Sequence, residues 1–530
     1  MTRQEQLAAL AARKEWDIIV IGGGASGLGV ALDAAARGFS VALIEAGDFA
    51  RGTSSRATKL VHGGVRYLAQ GNVALVREAL RERATLLANA PHLAQPLPFV
   101  MPAYRWWEKW FYGAGLVLYD LLAGRAGLGK TEFLDAGKTL RLVPSARAGG
   151  LFGGVKYWDG QFDDARLAVA LARTAQAAGA CMVNYCRAVQ LLHEGGAAAG
   201  PHAGALAGAL AGVVAEDAET GQRLELRARC VVNATGVWVD AIRKMDQADA
   251  AEMVAPSQGV HLVVDRRFLP ADHALMIPKT EDGRVLFAVP WQGKTLLGTT
   301  DTPRHDLAAE PEAFEEEIEF ILRESAKYLS QAPARADVLS VWVGLRPLVK
   351  PPKSDGGNTK AISREHTVLI SKAGLVTVTG GKWTTYRAMA EDVLGHCFAH
   401  GLLPSRPAGA TARLALAGAP RQSAVPLSAP PGLHLYGADA ALVTGLPGAD
   451  RELAPGFSEA MVRFAARHEF ARTVEDVLAR RSRLLFLDAA LAASLAERVA
   501  LILGEELGPD FDAAASARAF QALAGQYLLK

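Results

Sequence analysis

The sequence predicts an α/β fold with an inserted antiparallel sheet and an all-α C-terminal region. A short apolar run rich in β-branched residues, 17–21, leads into a glycine-rich turn and an Ala-rich helical pattern. Short strand patterns separated by turn residues repeat over residues 259–300, which is typical of an antiparallel sheet. Helical spacing dominates from residue 458 to the end of the sequence. These observations predict three structural parts.

Composition excludes several classes of protein. The chain has 530 residues, of which 50% are hydrophobic, so it has enough apolar residues for two or three globular domains. Its net charge of +2 provides no broad field for nucleic acid, and we expect no nucleic-acid partner. The 4 cysteines have neither metal-ligand nor CxxC spacing, so we expect no metal site and a reducing, cytoplasmic compartment. Residues 1–16 lack the apolar segment of a signal peptide.

The glycine-rich turn indicates a Rossmann-like dinucleotide-binding unit. In such a turn one glycine permits the bend, another lets the backbone approach the pyrophosphate, and a third lets helix and strand pack closely. The next strand pattern, 40–44, ends at Glu45, whose carboxylate would accept hydrogen bonds from the adenosine ribose and repel a 2′-phosphate. The motif allows either FAD or NAD. The residues predicted to contact the dinucleotide here are Gly22, Gly24, Ala25, Ser26, Gly27 and Glu45.

A second group of candidate residues is dense in hydroxyls, glycines and cations. Residues 53–68 follow Glu45 closely, and hydroxyls with exposed amides suit phosphate and ribityl oxygens. A polar surface loop is the alternative. The further predicted cofactor contacts are Thr53, Ser54, Ser55, Lys59, His62, Gly63, Gly64, Ala234, Thr235, Gly236, Gly381 and Lys382.

The order of motifs resembles that of the flavin-dependent glycerol-3-phosphate dehydrogenases, within the D-amino-acid-oxidase-like flavoproteins. The HGG and RYL motifs at 62–68 and the GGK and TTYR motifs at 380–387 are the most specific of them. The other segments that carry the resemblance are 21–27, 53–55, 233–238, 289–291, 297–301, 344–348, 472–476 and 480–481. The resemblance implies FAD as cofactor and a substrate domain inserted into the FAD-binding domain. The boundaries we expect are 14–90, 145–245 and 350–403 for the FAD-binding domain, 91–144 and 246–349 for the substrate domain, and 404–530 for the helical domain.

The implied reaction is oxidation of sn-glycerol 3-phosphate to dihydroxyacetone phosphate, with hydride transfer from C2 to FAD N5 and electrons passed to a membrane quinone. Arg66, Arg346 and Lys382 match the positions that would bind the phosphate, and Lys382 could serve the flavin instead. His261 is the nearest match for the base, although Val260 stands where the family commonly has serine. The predicted catalytic residues are thus His261, Arg346 and Lys382, and Tyr67, Thr384 and Tyr386 could orient the substrate by their hydroxyls. Taken alone, Arg346 could simply pair with a carboxylate and His261 could be a buried core histidine.

An aromatic and basic segment, 105–112, precedes the apolar stretch 113–119. Trp, Tyr and basic residues are typical of a membrane interface. This pattern favours peripheral attachment to the cytoplasmic face of the inner membrane. The alternatives are an aromatic-rich core helix or the contact surface of a homodimer.

Three other functions remain open from the sequence. A glycerol-3-phosphate oxidase would share the first half-reaction and pass electrons to O2. A related enzyme could oxidise an amine or another hydroxy acid, with an arginine binding a carboxylate. A flavin-binding protein without turnover would show no bleaching of the flavin by glycerol 3-phosphate.

Overall fold

The computed structural model describes residues 3–64, 72–195, 208–350 and 365–529. Two large sheets and a set of C-terminal helices make up these residues. The strands are β1 (Trp16–Ile21), β2 (Val41–Ile44), β3 (Leu60–Val61), β4 (Ala94–Ala103), β5 (Glu132–Asp135), β6 (Gly153–Phe162), β7 (Cys181–Val183), β8 (Cys186–His193), β9 (Leu210–Asp217), β10 (Arg223–Asn233), β11 (Val254–Asp265), β12 (Ala274–Ile277), β13 (Leu286–Trp291), β14 (Lys294–Gly298), β15 (Thr302–Pro303), β16 (Val338–Val349), β17 (His366–Ile370), β18 (Leu375–Gly380), β19 (Glu452–Ala454) and β20 (Phe457–Ser458).

Helices cover the sheets and form most of the C-terminal region. The α-helices are α1 (Arg3–Ala12), α2 (Ala25–Ala36), α3 (Val73–Asn89), α4 (Trp106–Ala123), α5 (Ala136–Leu142), α6 (Asp164–Ala177), α7 (Val239–Asp246), α8 (Glu315–Tyr328), α9 (Tyr386–Ala399), α10 (Ala440–Thr444), α11 (Glu459–His468), α12 (Leu484–Leu487), α13 (Ala489–Leu507) and α14 (Ala513–Gln526). Short 3-10 helices occur at Thr53–Ser55, Gly124–Ala126, Gly236–Trp238, Arg266–Phe268, Arg335–Asp337, Trp383–Thr385 and Leu433–Asp439, and a π-helix at Asp476–Arg481.

The first sheet is mainly parallel and has the strand order β17-β18-β10-β1-β2-β7. Strand β1 pairs in parallel with both β2 and β10, and β10 pairs in parallel with β18. Strands β1 and β2 are almost wholly buried, as their continuous apolar runs predict. Helices α2, α6 and α9 pack side by side on this sheet. The carboxyl ends of β1, β2, β10 and β18 therefore lie at one edge, where ligands of α/β sheets bind.

The second sheet is mainly antiparallel and has the order β15-β11-β14-β13-β12-β4-β6-β3, with β16 also paired to β11. Its central strands fall within the repeated patterns predicted at 259–300, and the mixed α/β architecture expected from the sequence is confirmed. Strand β6 lies within residues 145–245, which the sequence analysis assigns to the FAD-binding domain, but in the structure it belongs to the second sheet. Its residues pair with β4 over the whole length of both strands, so this ladder fixes β6 in the second sheet.

The C-terminal helices pack against the second sheet. Phe486 of α12 and Tyr527 stack edge to face, and Phe486 also packs on Trp342 of β16. The backbone N–H of Val341 donates to the carbonyl of Tyr527 at 2.9 Å. Among the residues that the structure describes, no helix is both long and apolar enough to cross a membrane.

Candidate active site

The glycine turn between β1 and α2, residues 22–27, has no room for side chains at two of its glycines, and we call this turn with the N-terminus of α2 the cradle. Gly22 has φ of +109°, and a Cβ on it would lie 2.7 Å from the Ala234 carbonyl oxygen. A Cβ on Gly27 would lie 1.9 Å from the Gly22 carbonyl oxygen. A side chain at either position would displace backbone. Glycine at both positions therefore lets β1, the start of α2 and the segment after β10 pack closely, and the N-terminus of α2 comes to this edge of the sheet, where a pyrophosphate would bind.

Glu45 follows β2 at the same edge of the sheet. Its carboxylate accepts hydrogen bonds from the backbone N–H groups of Gly23, at 2.6 Å, and Gly47, at 2.9 Å. Burial raises the pKa of the Glu45 carboxyl, and the two amide hydrogen bonds oppose that rise. The carboxylate is thus held rigidly next to the glycine turn, which is the position expected for binding the adenosine ribose.

The segment 53–64, which we call the cofactor loop, joins the cradle to the second sheet. The Ser54 hydroxyl accepts a hydrogen bond from the N–H of Ala25, at 2.9 Å, at the start of α2. The Ser54 carbonyl accepts one from the indole N–H of Trp383, also at 2.9 Å. The Thr53 hydroxyl donates to the carbonyl of Leu345, at 2.6 Å. The loop therefore fixes α2, the segment after β18 and strand β16 relative to one another.

The far half of the cofactor loop contacts two other elements. The Thr384 hydroxyl donates to the His62 carbonyl at 3.4 Å, so the predicted residues near 62 and 384 do lie together. The Gly63 N–H donates to the hydroxyl of Tyr119 on α4 at 2.8 Å, and a Cβ on Gly63 would lie 2.5 Å from that oxygen. Gly63 is therefore needed for close packing against α4. Gly64 has φ of +78°, and the predicted Arg66 and Tyr67 lie outside the described residues.

His261 and Arg346 lie on the paired strands β11 and β16 and are close to each other. The Arg346 guanidinium donates to the carbonyls of Gln258, at 3.1 Å, and Thr300, at 3.0 Å, and to the Thr299 hydroxyl at 3.3 Å. The Asp301 carboxylate is 3.6 Å away, so the carboxylate pairing considered for Arg346 is present at long range.

The His261 ring stacks on Trp342, with 4.1 Å between ring centroids, and its Nε2 lies 2.9 Å from the Thr58 hydroxyl. Burial, reinforced by the positive charges of Lys59 and Arg346, holds the pKa of His261 well below its usual value. The imidazole is therefore neutral at pH 7, the state that a proton acceptor needs.

The Lys59 side chain, predicted as a cofactor contact, is bound to a buried carboxylate instead. Its ammonium is fully buried and donates to both oxygens of Asp164, at 2.8 and 2.9 Å, and to the Ser55 carbonyl at 2.9 Å. Arg483 donates to the same carbonyl and to Asp164, at 2.8 and 3.0 Å. Burial lowers the pKa of Lys59 to about 7, and the Asp164 carboxylate opposes this shift. Its side chain thus supports the cofactor loop from behind instead of lining the cradle.

The remaining predicted residues cluster at the carboxyl ends of β10 and β18. The Ala234 N–H donates to the Ile21 carbonyl at 2.9 Å, and the Thr379 hydroxyl donates to the Gly236 carbonyl at 3.1 Å. Thr235 directly precedes this glycine, and Gly381 and Lys382 directly follow β18. Tyr386 differs from expectation: its buried ring packs against Gly29 of α2, because α9 and α2 approach closely there.

Sequence reasoning missed four residues of the site: Thr58, Asp164, Thr299 and Arg483. Thr58 lies within the motif-rich segment 53–68 and Thr299 within the motif segment 297–301, so a hydroxyl in a motif was the signal available for both. Asp164 and Arg483 lie outside the motif segments, and only the fold brings them to the site.

Comparisons with known proteins agree with this geometry. A family model described as "FAD dependent oxidoreductase" matches residues 17–387, and one described as "C-terminal domain of alpha-glycerophosphate oxidase" matches residues 429–514. The mitochondrial glycerol-3-phosphate dehydrogenase of Homo sapiens is 43% identical over 539 residues, covering 96% of this chain and 73% of that protein.

Two solved structures extend the comparison. The glycerol-3-phosphate dehydrogenase of Bacillus halodurans complexed with FAD is similar with a TM-score of 0.78 and 28% identity, covering 99% of this chain and 98% of that one. The FAD-bound L-alpha-glycerophosphate oxidase of Mycoplasma pneumoniae has a TM-score of 0.55 at 15% identity, covering 76% of this chain and 98% of that one. The second likeness shows the fold alone.

Proposed function

The chain belongs to the FAD-dependent oxidoreductases, among the glycerol-3-phosphate dehydrogenases, and from this premise we propose that it oxidises sn-glycerol 3-phosphate to dihydroxyacetone phosphate and passes the electrons to a membrane quinone. The observation that carries the first half of the proposal is that Arg346 and His261 lie on paired strands beside the cofactor loop, near enough for the arginine charge to lower the pKa of the histidine. A fixed guanidinium and a neutral imidazole are the groups needed to bind a phosphate ester and accept a hydroxyl proton.

The residues present fit FAD. The Cβ-free cradle at Gly22 and Gly27, the N-terminus of α2 and the carboxylate of Glu45 suit the pyrophosphate and the adenosine ribose. When bound, FAD supplies the hydride acceptor. We propose that Lys382 and the backbone after β18 lie against the flavin, because positive charge there stabilises the reduced ring.

Different residues of the chain would bind the substrate phosphate and accept the substrate proton. Arg346 binds the phosphate group, with Arg66, Tyr67, Lys382 and Thr384 as further contacts. His261 receives the proton of the C2 hydroxyl, directly or through a neighbour. Because the Arg346 guanidinium is fixed by three hydrogen bonds, little side-chain freedom is lost when the phosphate binds.

Anaerobic addition of glycerol 3-phosphate to the holoenzyme tests this half of the proposal. We expect the flavin absorbance to bleach within one turnover, and glycolate or an amino acid at the same concentration to leave it unchanged. Absence of bleaching would refute oxidation of glycerol 3-phosphate by either a dehydrogenase or an oxidase.

The exposed face of α4 supports a membrane quinone as acceptor. Trp106 is 66% exposed, Phe111 69% and Leu121 73%, and Trp110 and Leu118 extend the same apolar surface. Contiguous apolar surface with Trp at one end is typical of proteins that lie in the membrane interface. The opposite face of α4 contacts the cofactor loop through Tyr119 and Gly63. An acceptor held in the membrane would therefore lie on the side of the protein that carries the flavin.

Assays with two electron acceptors, a quinone analogue and O2, test the second half of the proposal. With glycerol 3-phosphate as donor, we expect turnover with a soluble ubiquinone analogue to exceed peroxide formation with O2 by a large factor. Rapid peroxide production would instead establish the oxidase.

A surface variant separates membrane binding from catalysis. Trp106→Ser combined with Phe111→Ser should abolish co-sedimentation with phosphatidylglycerol–phosphatidylcholine vesicles but leave flavin bleaching in the absence of vesicles intact. Leu501→Ser, at a residue 57% exposed on α13, is the matched control and should bind vesicles as the wild type does. Equal binding by all three proteins would contradict a membrane role for α4.

A further inference from the structure

The burial of His261 raises the question of how a substrate proton reaches it. Only 2% of the residue is exposed. Its Nε2 faces the Thr58 hydroxyl at 2.9 Å, and its Nδ1 has no hydrogen-bond partner among the residues described. Trp342 covers one face of the ring. Direct contact between the imidazole and a substrate would require this packing to open.

Thr58 is more accessible than the histidine. It is partly exposed and lies in the cofactor loop, between residues that contact the cradle and residues that contact α4. Its hydroxyl can donate one hydrogen bond and accept another at the same time. It is therefore placed to connect a ligand on the open side with Nε2 on the buried side.

We infer that Thr58 is a catalytic residue through which His261 acts, passing the proton of the substrate C2 hydroxyl to Nε2. As the hydride leaves C2, the C2 hydroxyl gives its proton to the Thr58 oxygen, and Thr58 gives its own proton to Nε2. Thr58 is unchanged at the end, the imidazole has gained one proton, and the substrate has become a ketone because its hydride would pass to the acceptor that bound FAD supplies. This inference rests on the proposed function.

The relay specifies one tautomer of the imidazole. Nε2 must be the acceptor, so the ring hydrogen of the resting enzyme lies on Nδ1. Burial and the nearby charges of Lys59 and Arg346 keep the ring neutral, so Nε2 is available to accept. The same charges favour prompt release of the proton after the hydride has left.

A cluster of buried charges fixes Thr58 at this position. The next residue, Lys59, has φ of +64°, a backbone conformation that non-glycine residues rarely adopt. Its ammonium is bound by Asp164, and Arg483 from the C-terminal region bonds both Asp164 and the Ser55 carbonyl. Because all three charged side chains are fully buried, breaking any one contact would leave an uncompensated charge. The C-terminal region thus helps to position the relay.

The test compares Thr58→Val and Thr58→Ser with the wild type in anaerobic stopped-flow reduction by glycerol 3-phosphate. Valine preserves shape and removes the hydroxyl, whereas serine keeps it. We expect Thr58→Val to lower the limiting reduction rate constant by about 100-fold, with substrate Kd and FAD content nearly unchanged, and Thr58→Ser to retain most of the rate. The wild-type rate in H2O–D2O mixtures should give a curved proton inventory, and Thr58→Val a linear one.

Three outcomes would overturn the inference while leaving the proposed function intact. One is a wild-type rate in Thr58→Val, and another is a linear inventory in the wild type. The third is a 15N spectrum of histidine-labelled holoenzyme, assigned with His261→Gln, that places the ring hydrogen on Nε2. Failure of the wild type to bleach at all would refute the proposed function itself.

A pair of arginine variants tests the positioning role of the cluster. Arg483→Lys should slow flavin reduction with FAD still bound. The matched control is Arg166→Lys, at another buried arginine, which pairs with Glu469 of the C-terminal region at 2.9 Å and has its other hydrogen bonds to the carbonyls of Leu435 and Arg481 instead of to the cofactor loop. It should lower the melting temperature without slowing reduction. Equal slowing in both variants would show that Arg483 acts on general stability alone.

Discussion

Replacement of Arg346 by alanine gives the most direct test of the substrate site. The guanidinium is held by the carbonyls of Gln258 and Thr300 and by the Thr299 hydroxyl, all within 3.3 Å. A hydrogen bond between charged groups contributes about 2 kcal/mol. Loss of one such bond to the substrate phosphate corresponds to about a 30-fold weaker Kd.

Anaerobic stopped-flow reduction measures this effect, because the dependence of rate on glycerol 3-phosphate concentration gives Kd and the limiting rate constant separately. We expect Arg346→Ala to raise Kd by about 30-fold and to retain FAD. Arg346→Lys keeps the charge but loses the planar fork, so its Kd should lie between those of the alanine variant and the wild type.

Arg304→Ala is the matched control for this prediction. Arg304 also lies beside Gln258, where it bonds the side-chain oxygen, but its guanidinium pairs with Asp306 at the surface. We expect its Kd to stay at the wild-type value. A wild-type Kd in Arg346→Ala, or an equal rise in Arg304→Ala, would remove Arg346 from the phosphate site.

Three further predictions follow from the geometry. Gly27→Ala places a Cβ 1.9 Å from the Gly22 carbonyl oxygen, so the purified protein should contain little FAD by absorbance. Gly395→Ala is the control, because its Cβ meets open space, and it should keep full FAD occupancy. Full FAD occupancy in Gly27→Ala would contradict the role of the glycine turn in binding FAD. The pKa of His261 lies well below 6.5, so this base stays unprotonated down through pH 6.5. The limiting rate constant of flavin reduction at saturating substrate should therefore fall only at lower pH. A fall that begins above pH 6.5 would show that another group is the base. Tyr119→Phe removes a hydroxyl that donates to the buried carboxylate of Asp159 and accepts from the Gly63 amide. The free energy of unfolding, measured by urea titration, should therefore fall by about 1–3 kcal/mol. Unchanged stability would mean that water replaces the hydroxyl.

The dinucleotide cradle could be predicted from the sequence because its parts are neighbours in the chain. Strand β1, the glycine turn, α2 and Glu45 all lie within residues 16–45, and the local pattern specifies each of them. The part of the antiparallel sheet at 254–298 was also predictable, since these strands follow one another with short turns, whereas β4 and β6 come from distant parts of the chain.

The support of the cofactor loop could not be predicted in the same way. Arg483 and Ser55 are 428 residues apart in sequence, and Asp164 opens a helix whose first residues look like an ordinary helix start. Lys59 carries a charge within a motif segment, which favoured a ligand contact. Only the fold shows that its side chain turns inward to a buried carboxylate.

The segment at α4 shows a different limit of sequence reasoning. Its aromatic run was compatible with a core helix, a dimer contact or a membrane surface, because composition alone does not say which face is covered. The structure buries Tyr119 and exposes Trp106 and Phe111, so both a core contact and an apolar surface exist on one helix. Tyr119 joins the Gly63 amide to the buried pair of Asp159 and Arg83.

This arrangement has a consequence for how the acceptor and the substrate site are related. A shift of α4 on a lipid surface would move the Tyr119 hydroxyl, and the Gly63 amide would have to follow or lose its partner at a cost of about 1–3 kcal/mol. The cofactor loop also carries Thr58, four residues before His62, whose carbonyl is bonded by Thr384. Membrane binding should therefore change the rate of flavin reduction as well as that of reoxidation. Equal reduction rates with and without vesicles would show that α4 serves only as an attachment surface.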